Sequence, residues 1–194
     1  YRIFGKPFSE EGKKLFGVPF AQFLKVNSEF RYHYKIDKNQ MHLHCQETPL
    51  KDFLHGIVSL YRFNAQERNI TLELKEDESL SSDKGKLKVW IDRINFDKVI
   101  SNLLSNAMKY TFDGGEITVI IGKGEKNATI RGEEKQPLDE NQIFERFYQG
   151  NNSSGLHIEG TGIGLNLCKA FVEMHGGKIK AYNRTDGIKG SASK

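Results

Sequence analysis

Three groups of residues in this chain have types and spacings suited to chemistry. The first lies on the stretch 94–110. Phe96, Val99, Ile100, Leu103, Leu104 and Ala107 recur there at i, i+3, i+4, i+7, i+8 and i+11, the repeat of a helix with one buried face. At about 100° per residue, Asn102, Asn106 and Lys109 fall within about 60° of arc beside that apolar stripe. A carboxamide oxygen is a neutral, hard ligand, suited to a Mg²⁺ that already carries phosphate oxygens, and lysine offers phosphate a point charge. A solvated helix edge would carry the same residues, so the stripe alone decides nothing.

The second group is Gly160-Thr161-Gly162-Ile163-Gly164-Leu165. Three alternate glycines precede an amphipathic stretch. Glycine lets backbone approach backbone, and a helix N-terminus presents free N–H groups to an anion. A flexible hinge would look similar. Two other phosphate sites are excluded: no Lys-Ser/Thr follows, as GxxxxGKS/T demands, and the spacing is GxGxG after a polar loop, not GxGxxG after a strand. The third group is Ile143-Phe144-Glu145-Arg146-Phe147-Tyr148, where Phe144 and Phe147 can anchor a loop and Arg146 can reach a phosphate. An ordinary amphipathic helix with an exposed Arg accounts for it equally.

The elements that must position these groups are legible in outline. A helix over about 19–36 follows Pro19. Another spans 48–67, with Thr48 as cap, Pro49 at its first position, and Leu50, Phe53, Leu54, Ile57, Val58 and Tyr61 on one face. Ile70, Leu72 and Leu74 alternate as a strand, as do Leu87, Val89 and Ile91, and then Ile117, Val119 and Ile121 after the Asp113-Gly114-Gly115 turn. A short strand is expected at 128–131, a helix over 138–148, a Gly/Asn/Ser-rich loop at 149–161, a helix over 163–175 and a last strand in KIKAYN. Helices alternate irregularly with hairpin-linked strands, which argues an α+β or mixed two-layer sandwich.

Composition sets bounds. The 194 residues carry 29 Lys+Arg against 25 Asp+Glu and are 37% hydrophobic. That is one domain of roughly 150 residues plus an extension, able to bury a core without staples. A net charge of +4 does not suggest a duplex-DNA binder. Cys45 and Cys168 form no CxxC pair and read as reduced core thiols. No apolar run reaches the roughly 18 residues of a membrane span, and no secretory signal is present. The chain begins with Tyr1 instead of Met and reads as a piece of something longer.

Taken together and in order, NLLSNAMKYT, IFERFY and GTGIGLNLCKAFVEMHGGKI resemble the N box, F box and second glycine box of the catalytic ATP-binding domain of sensor histidine kinases, a GHKL family. PLKDFLHGIVSLYRFNAQERNITLEL and LKVWIDRINFDKVI are similar to that family's first helix and strands. The resemblance covers about residues 40–194, and its overall texture is most similar to hybrid two-component sensors of gut-type bacteria. It implies a Bergerat fold: a two-layer α/β sandwich with a mixed, mostly antiparallel sheet on three helices. Residues 46–194 would be the ATP-binding catalytic domain, and 1–45 a helical extension from the dimerisation and histidine-phosphotransfer segment.

The resemblance further implies ATP and Mg²⁺ as cofactors. Asn106 would hold the metal, Asn102 would support metal and phosphates, Lys109 would contact phosphate and Tyr110 would lie beside the nucleotide. Gly160, Thr161, Gly162, Ile163, Gly164 and Leu165 would wrap the triphosphate, with Arg146 nearby and 149–159 as a lid. The implied enzyme is a protein histidine kinase that transfers the γ-phosphoryl to a histidine on a separate dimerisation domain, in phosphorelay signalling with a response-regulator receiver domain. It would act as a homodimer, in the cytoplasmic portion of a membrane-anchored bacterial sensor.

Two family elements are missing. None of His33, His42, His44, His55, His157 and His175 stands in an H-E/D-x-x-T/R-x-P acceptor pattern. Each reads as a surface or helix-end histidine, His175 as a helix stop. The adenine-binding DxGxG motif is absent too: ATIRGEE runs into KQPLDENQIF, with Glu134 where the Asp would be and no glycine pair after it. Either the pocket is degenerate, at a cost of about 1–3 kcal/mol or about 5- to 150-fold in affinity for a lost buried hydrogen bond, or 131–137 joins pieces that a longer parent separates. The well-kept neighbouring motifs favour the second. GIKGSASK resembles the family's last glycine box, cut before its aromatic, and predicts a truncated strand with an open edge. The rival to the kinase reading is a catalytically dead scaffold for docking or regulation. A serine kinase or chaperone ATPase of the same fold fits IFERFY and HGGKI less well.

Overall fold

The computed structural model describes residues 2–3, 6–7, 20–80, 87–124, 128–134, 142–148, 162–183 and 191–193. The chain divides into two compact units, Tyr1–Met41 and His42–Lys194. In the first, β1 (Arg2–Ile3) pairs antiparallel with β2 (Lys6–Pro7), and α1 runs Phe20–Asp37. Phe30 and Tyr34 of α1 are exposed. His33, expected at the surface or a helix end, is buried. Among the described residues no helix is long and apolar enough to cross a membrane.

The second unit is α+β. Its first helix, α2 (Leu50–Glu67), forms because Leu50, Phe53, Leu54, Ile57 and Val58 make one buried face. It ends where Asn69 takes a left-handed φ of 52°, a conformation a short polar side chain tolerates, and the Ile70 amide turns back to the Ala65 carbonyl. The helix start differs from expectation. Thr48 does not cap it; Gln46–Pro49 is a strand, β3, and the Thr48 hydroxyl donates to the Gln46 carbonyl. The partner of β3 is β5 (Lys88–Ile91), antiparallel, with Thr48 opposite Val89. The sequence reading missed β3 because QETP has no apolar alternation.

The main sheet holds five strands: β4 (Thr71–Glu76), β6 (Glu116–Lys123), β7 (Ala128–Glu134), β8 (Ala181–Asn183) and β9 (Ser191–Ser193), in the order β4-β6-β7-β9-β8. β4 and β6 are parallel, as a helical crossover requires, and α3 (Arg93–Tyr110) makes that crossover. The other pairs are antiparallel. Leu72 and Leu74 stand in register with Ile117 and Val119, so one sheet face is apolar. Val119 and Ile121 join Leu54 and Val58 of α2 and Ile100 and Leu104 of α3 in one core. A second cluster joins Ala65, Ile70, Met108 and Ile117. The strands therefore form one five-stranded sheet and a separate two-stranded piece.

Three expectations are corrected. The segment expected to close the chain as a truncated open edge supplies β9, which lies between β7 and β8; the sheet's edges are β4 and β8. The helix expected over 138–148 is absent from its described part: residues 142–148 form turns, with Phe147 at a φ of 64° that no helix allows. Cys168 is a buried thiol as expected, but Cys45, just ahead of β3, is exposed. The proposed join at 131–137 falls partly within β7, whose pairing is continuous to Glu134; 135–137 lie outside the described residues, as does the loop at 149–161.

Leu54 is 0% exposed at the centre of the main core. Leu54→Ala is expected to cost about 2–5 kcal/mol of unfolding free energy in chemical denaturation, and a loss under about 1 kcal/mol would contradict the packing described.

Candidate functional site

The carboxamide stripe sits on α3, and both ends of that helix are fastened. At its start, Asp92 is the N-cap, and its carboxylate takes four hydrogen bonds. Oδ1 accepts from the amides of Ile94 and Asn95, both at 3.1 Å, and Oδ2 from the His44 amide and Asn95 Nδ2, both at 2.9 Å. Burial alone would raise the Asp92 carboxyl, but the bonds from His44, Asn95 and Ile94 outweigh it and hold the group below the ordinary aspartate value. At the other end, the guanidinium of Arg68 pairs with Asp113 Oδ1 at 2.7 Å. It also donates to the Thr111 carbonyl at 2.7 Å and to the Met108 carbonyl. A fixed positive charge there satisfies late carbonyls and opposes the negative end of the helix dipole.

The glycine-punctuated segment opens α4 (Gly164–Met174). Gly162 has a φ of 66°, and no side chain caps the helix at Ile163. The N-cap residue thus offers the first-turn N–H groups of α4 no acceptor of its own, a setting in which a helix N-terminus can receive an anion. Ile163 is itself 2% exposed, so its side chain belongs to the core. The turns at 142–148 dock on this start. The Phe147 amide donates to the Gly162 carbonyl at 2.9 Å, and Asn166 Nδ2 donates to the Phe144 carbonyl at 2.7 Å. A Cβ on Gly162 would lie 2.6 Å from the Phe147 carbonyl carbon, so only glycine permits the approach.

The two helices meet antiparallel. Asp92 pairs with His175, Val99 with Cys168 (Sγ to carbonyl, 3.7 Å), and Asn102 with Gly164, where a Cβ would stand 3.3 Å from Asn102 Oδ1. The structure thus brings Asn102 onto the first residue of α4. Asn106 lies about 6 Å further along α3, toward and past that helix start. Both asparagines are half-buried, as are Lys109, Tyr110 and Leu165. Lys109 Nζ stands 5.4 Å from the centre of the Tyr110 ring. Arg146 is exposed within the 142–148 turns. Glu134 ends β7 opposite Ser191. Gly160 and Thr161 lie outside the described residues.

This donor set suits an anion more than a bare metal. Among the described residues no group of three His, Cys, Asp or Glu could hold a metal ion. Neutral carboxamides beside an uncapped helix start fit Mg²⁺ only when phosphate oxygens supply most of its ligands and the negative charge. Sequence reasoning missed Arg68, Asp92, Asn166 and the docking role of His175. Asp92 carries a recoverable signal, an Asp just ahead of an apolar-periodic run. The other three act through tertiary partners that no local pattern announces.

The sequence from residue 91 to 192 matches the family described as histidine kinase-, DNA gyrase B-, and HSP90-like ATPase. The chain is 33% identical over 158 residues to the sensor histidine kinase TmoS of Ectopseudomonas mendocina, covering 79% of this chain and 16% of that protein. It is 30% identical over 162 residues to the hybrid signal transduction histidine kinase D of Dictyostelium discoideum, covering 79% of this chain and 10% of that one. The chain thus spans a small part of the curated relatives it matches. In fold it is similar to the catalytic domain of histidine kinase ThkA, with a TM-score of 0.65 at 23% identity, covering 78% of this chain and 95% of that one. It is similar also to ThkA in complex with response regulator protein TrrA, with a TM-score of 0.67 at 19% identity, covering 97% and 51%.

Two outcomes follow from this geometry. Because the folded Asp92 carboxyl is held low, its contribution is full above the ordinary aspartate pKa of about 3.9 and is lost as pH falls through the lower folded value. Asp92→Asn should flatten the acid loss of stability in that window; equal acid-unfolding slopes in variant and wild type would contradict the capping described. Gly162→Ala should speed hydrogen exchange at the Phe147 amide by about tenfold or more, and unchanged exchange would refute the docking of 142–148 on α4.

Proposed function

Because this chain belongs to the histidine kinase-, DNA gyrase B-, and HSP90-like ATPase family, we propose that it binds Mg-ATP as the catalytic domain of a two-component histidine kinase. The γ-phosphoryl would pass to a histidine on a separate dimerisation domain. The observation that carries this reading is the contact of the Asn102 carboxamide with Gly164, which sets the asparagine stripe against an uncapped helix start. In this assignment Asn106 holds the magnesium, Asn102 steadies metal and phosphates, and Lys109 faces phosphate. Tyr110 lies beside the nucleotide, and Gly160 to Leu165 wrap the triphosphate through backbone N–H groups, with Arg146 at their edge. Magnesium, when bound, neutralises charge on the phosphates. The protein's own part is to position the triphosphate and exclude alternatives to in-line transfer.

Residues 1–45 fit the dimerisation side of such a kinase, and the fold likeness to a kinase solved with its response regulator supports a receiver domain as the downstream partner. The relatives' greater length supports a longer parent protein; placement on the cytoplasmic side of a membrane-anchored sensor and the Bergerat arrangement belong to the same proposal. The departure from DxGxG after Glu134 favours a second reading, a docking scaffold without catalysis.

Calorimetry with a non-hydrolysable ATP analogue and Mg²⁺ separates the two. Dissociation constants in the micromolar range are expected for the kinase domain, and no heat for the scaffold. Asn102→Ala and Asn106→Asp should each weaken binding by about a hundredfold or more, near 2.8 kcal/mol. Wild-type affinity in both would overturn the metal assignment.

A further inference from the structure

We propose that His175 is a positioning residue for the nucleotide site: a neutral imidazole with its proton on Nδ1 that pins the start of α3 to the end of α4. This rests on the ATP-binding reading above. The protonation state follows from its partners. The Asp92 main-chain N–H can only donate, so the Nε2 it meets at 3.0 Å is bare. The Phe171 carbonyl can only accept, so the Nδ1 at 2.7 Å carries the proton. Both ring nitrogens are committed, and the ring also meets Phe96 edge-on, with centroids 5.5 Å apart at 77°. Free histidine in water prefers the opposite tautomer, so this one is imposed by the fold.

The consequence lies at the other end of the helix pair. Where Asn102 meets Gly164 there is no side chain on α4 to resist sliding, and the Cys168 thiol near Val99 is a weak donor. The hydrophobic effect is non-directional, so burial alone does not choose among the packed registers two helices can adopt. The Asp92–His175 bond is directional, and it grips the residue that caps α3. It therefore fixes the axial register of the two helices that carry the asparagines and the glycines. Losing the acceptor lets α3 shift against α4 and moves Asn102 and Asn106 relative to the uncapped helix start, although His175 touches no ligand.

Two measurements test this. ¹⁵N-edited NMR of the ring at about pH 8, above the ordinary histidine pKa, should find His175 protonated on Nδ1 and bare on Nε2; protonation on Nε2 overturns the proposal. In calorimetry with the ATP analogue and Mg²⁺, well below the melting temperature, His175→Phe keeps a ring against Phe96 but has no acceptor. It should weaken binding about three- to tenfold, and His175→Gln, which restores an acceptor, should recover part of the loss. A lowered melting temperature with unchanged affinity in His175→Phe, or no recovery in His175→Gln, overturns the positioning role while leaving the ATP reading intact. No binding by the wild-type chain overturns both.

Discussion

The site depends on one close approach, that of Asn102 on α3 to Gly164 on α4. It rests on a residue without a side chain at the start of α4, where a Cβ would push the Asn102 carboxamide aside by a few tenths of an ångström, and on an antiparallel register that sets the two level. Around it the structure supplies constraints of different kinds. Asp92 and Arg68 hold the ends of α3 by charge and hydrogen bonding, and the core clusters hold its apolar face. Glycine at 162 lets the 142–148 turns close against the same helix start. A stripe that could have been a solvated helix edge is thereby placed against a helix start that carries no side-chain cap, and position turns it into a candidate phosphate site.

Polar groups and apolar packing divide the work along α3. Val99, Ile100 and Leu104 are nearly inaccessible and give the helix its place on the sheet, though the burial that drives them there has no direction of its own. Direction comes from the hydrogen bonds at its ends. The Asp92 carboxylate joins three parts of the chain, through the His44 amide, its own helix start and, by its main chain, His175. Burial of that carboxylate is tolerated because its acceptor capacity is filled.

Much of the fold was legible because helices α2, α3 and α4 and the strands after them carry strong periodicity. Boundaries moved by up to three residues. Failures came where no local period exists. QETP became β3 because its backbone pairs with β5 across a long separation, and residues 142–148 left the helical path because Phe147 is drawn to Gly162. The three motifs of the site were legible as motifs; their convergence was expected from the family resemblance and not from the residues themselves, since it depends on how α3 and α4 are aligned. Arg68 and His175 were invisible for the same reason: an arginine after a helix and a histidine before two glycines look like punctuation until their partners are known.

The strand order has a consequence for how such a sheet is built. β9, last in sequence, is seated between β7 and β8, so β8 has no sheet partner until residues 191–193 arrive. β8 and β9 are near neighbours in sequence, so their pairing is local, whereas β9 meets β7 across a separation of about sixty residues. Docking of the last two strands is then the long-range step, and until it happens β7 is the exposed, adhesive edge of the β4-β6-β7 part.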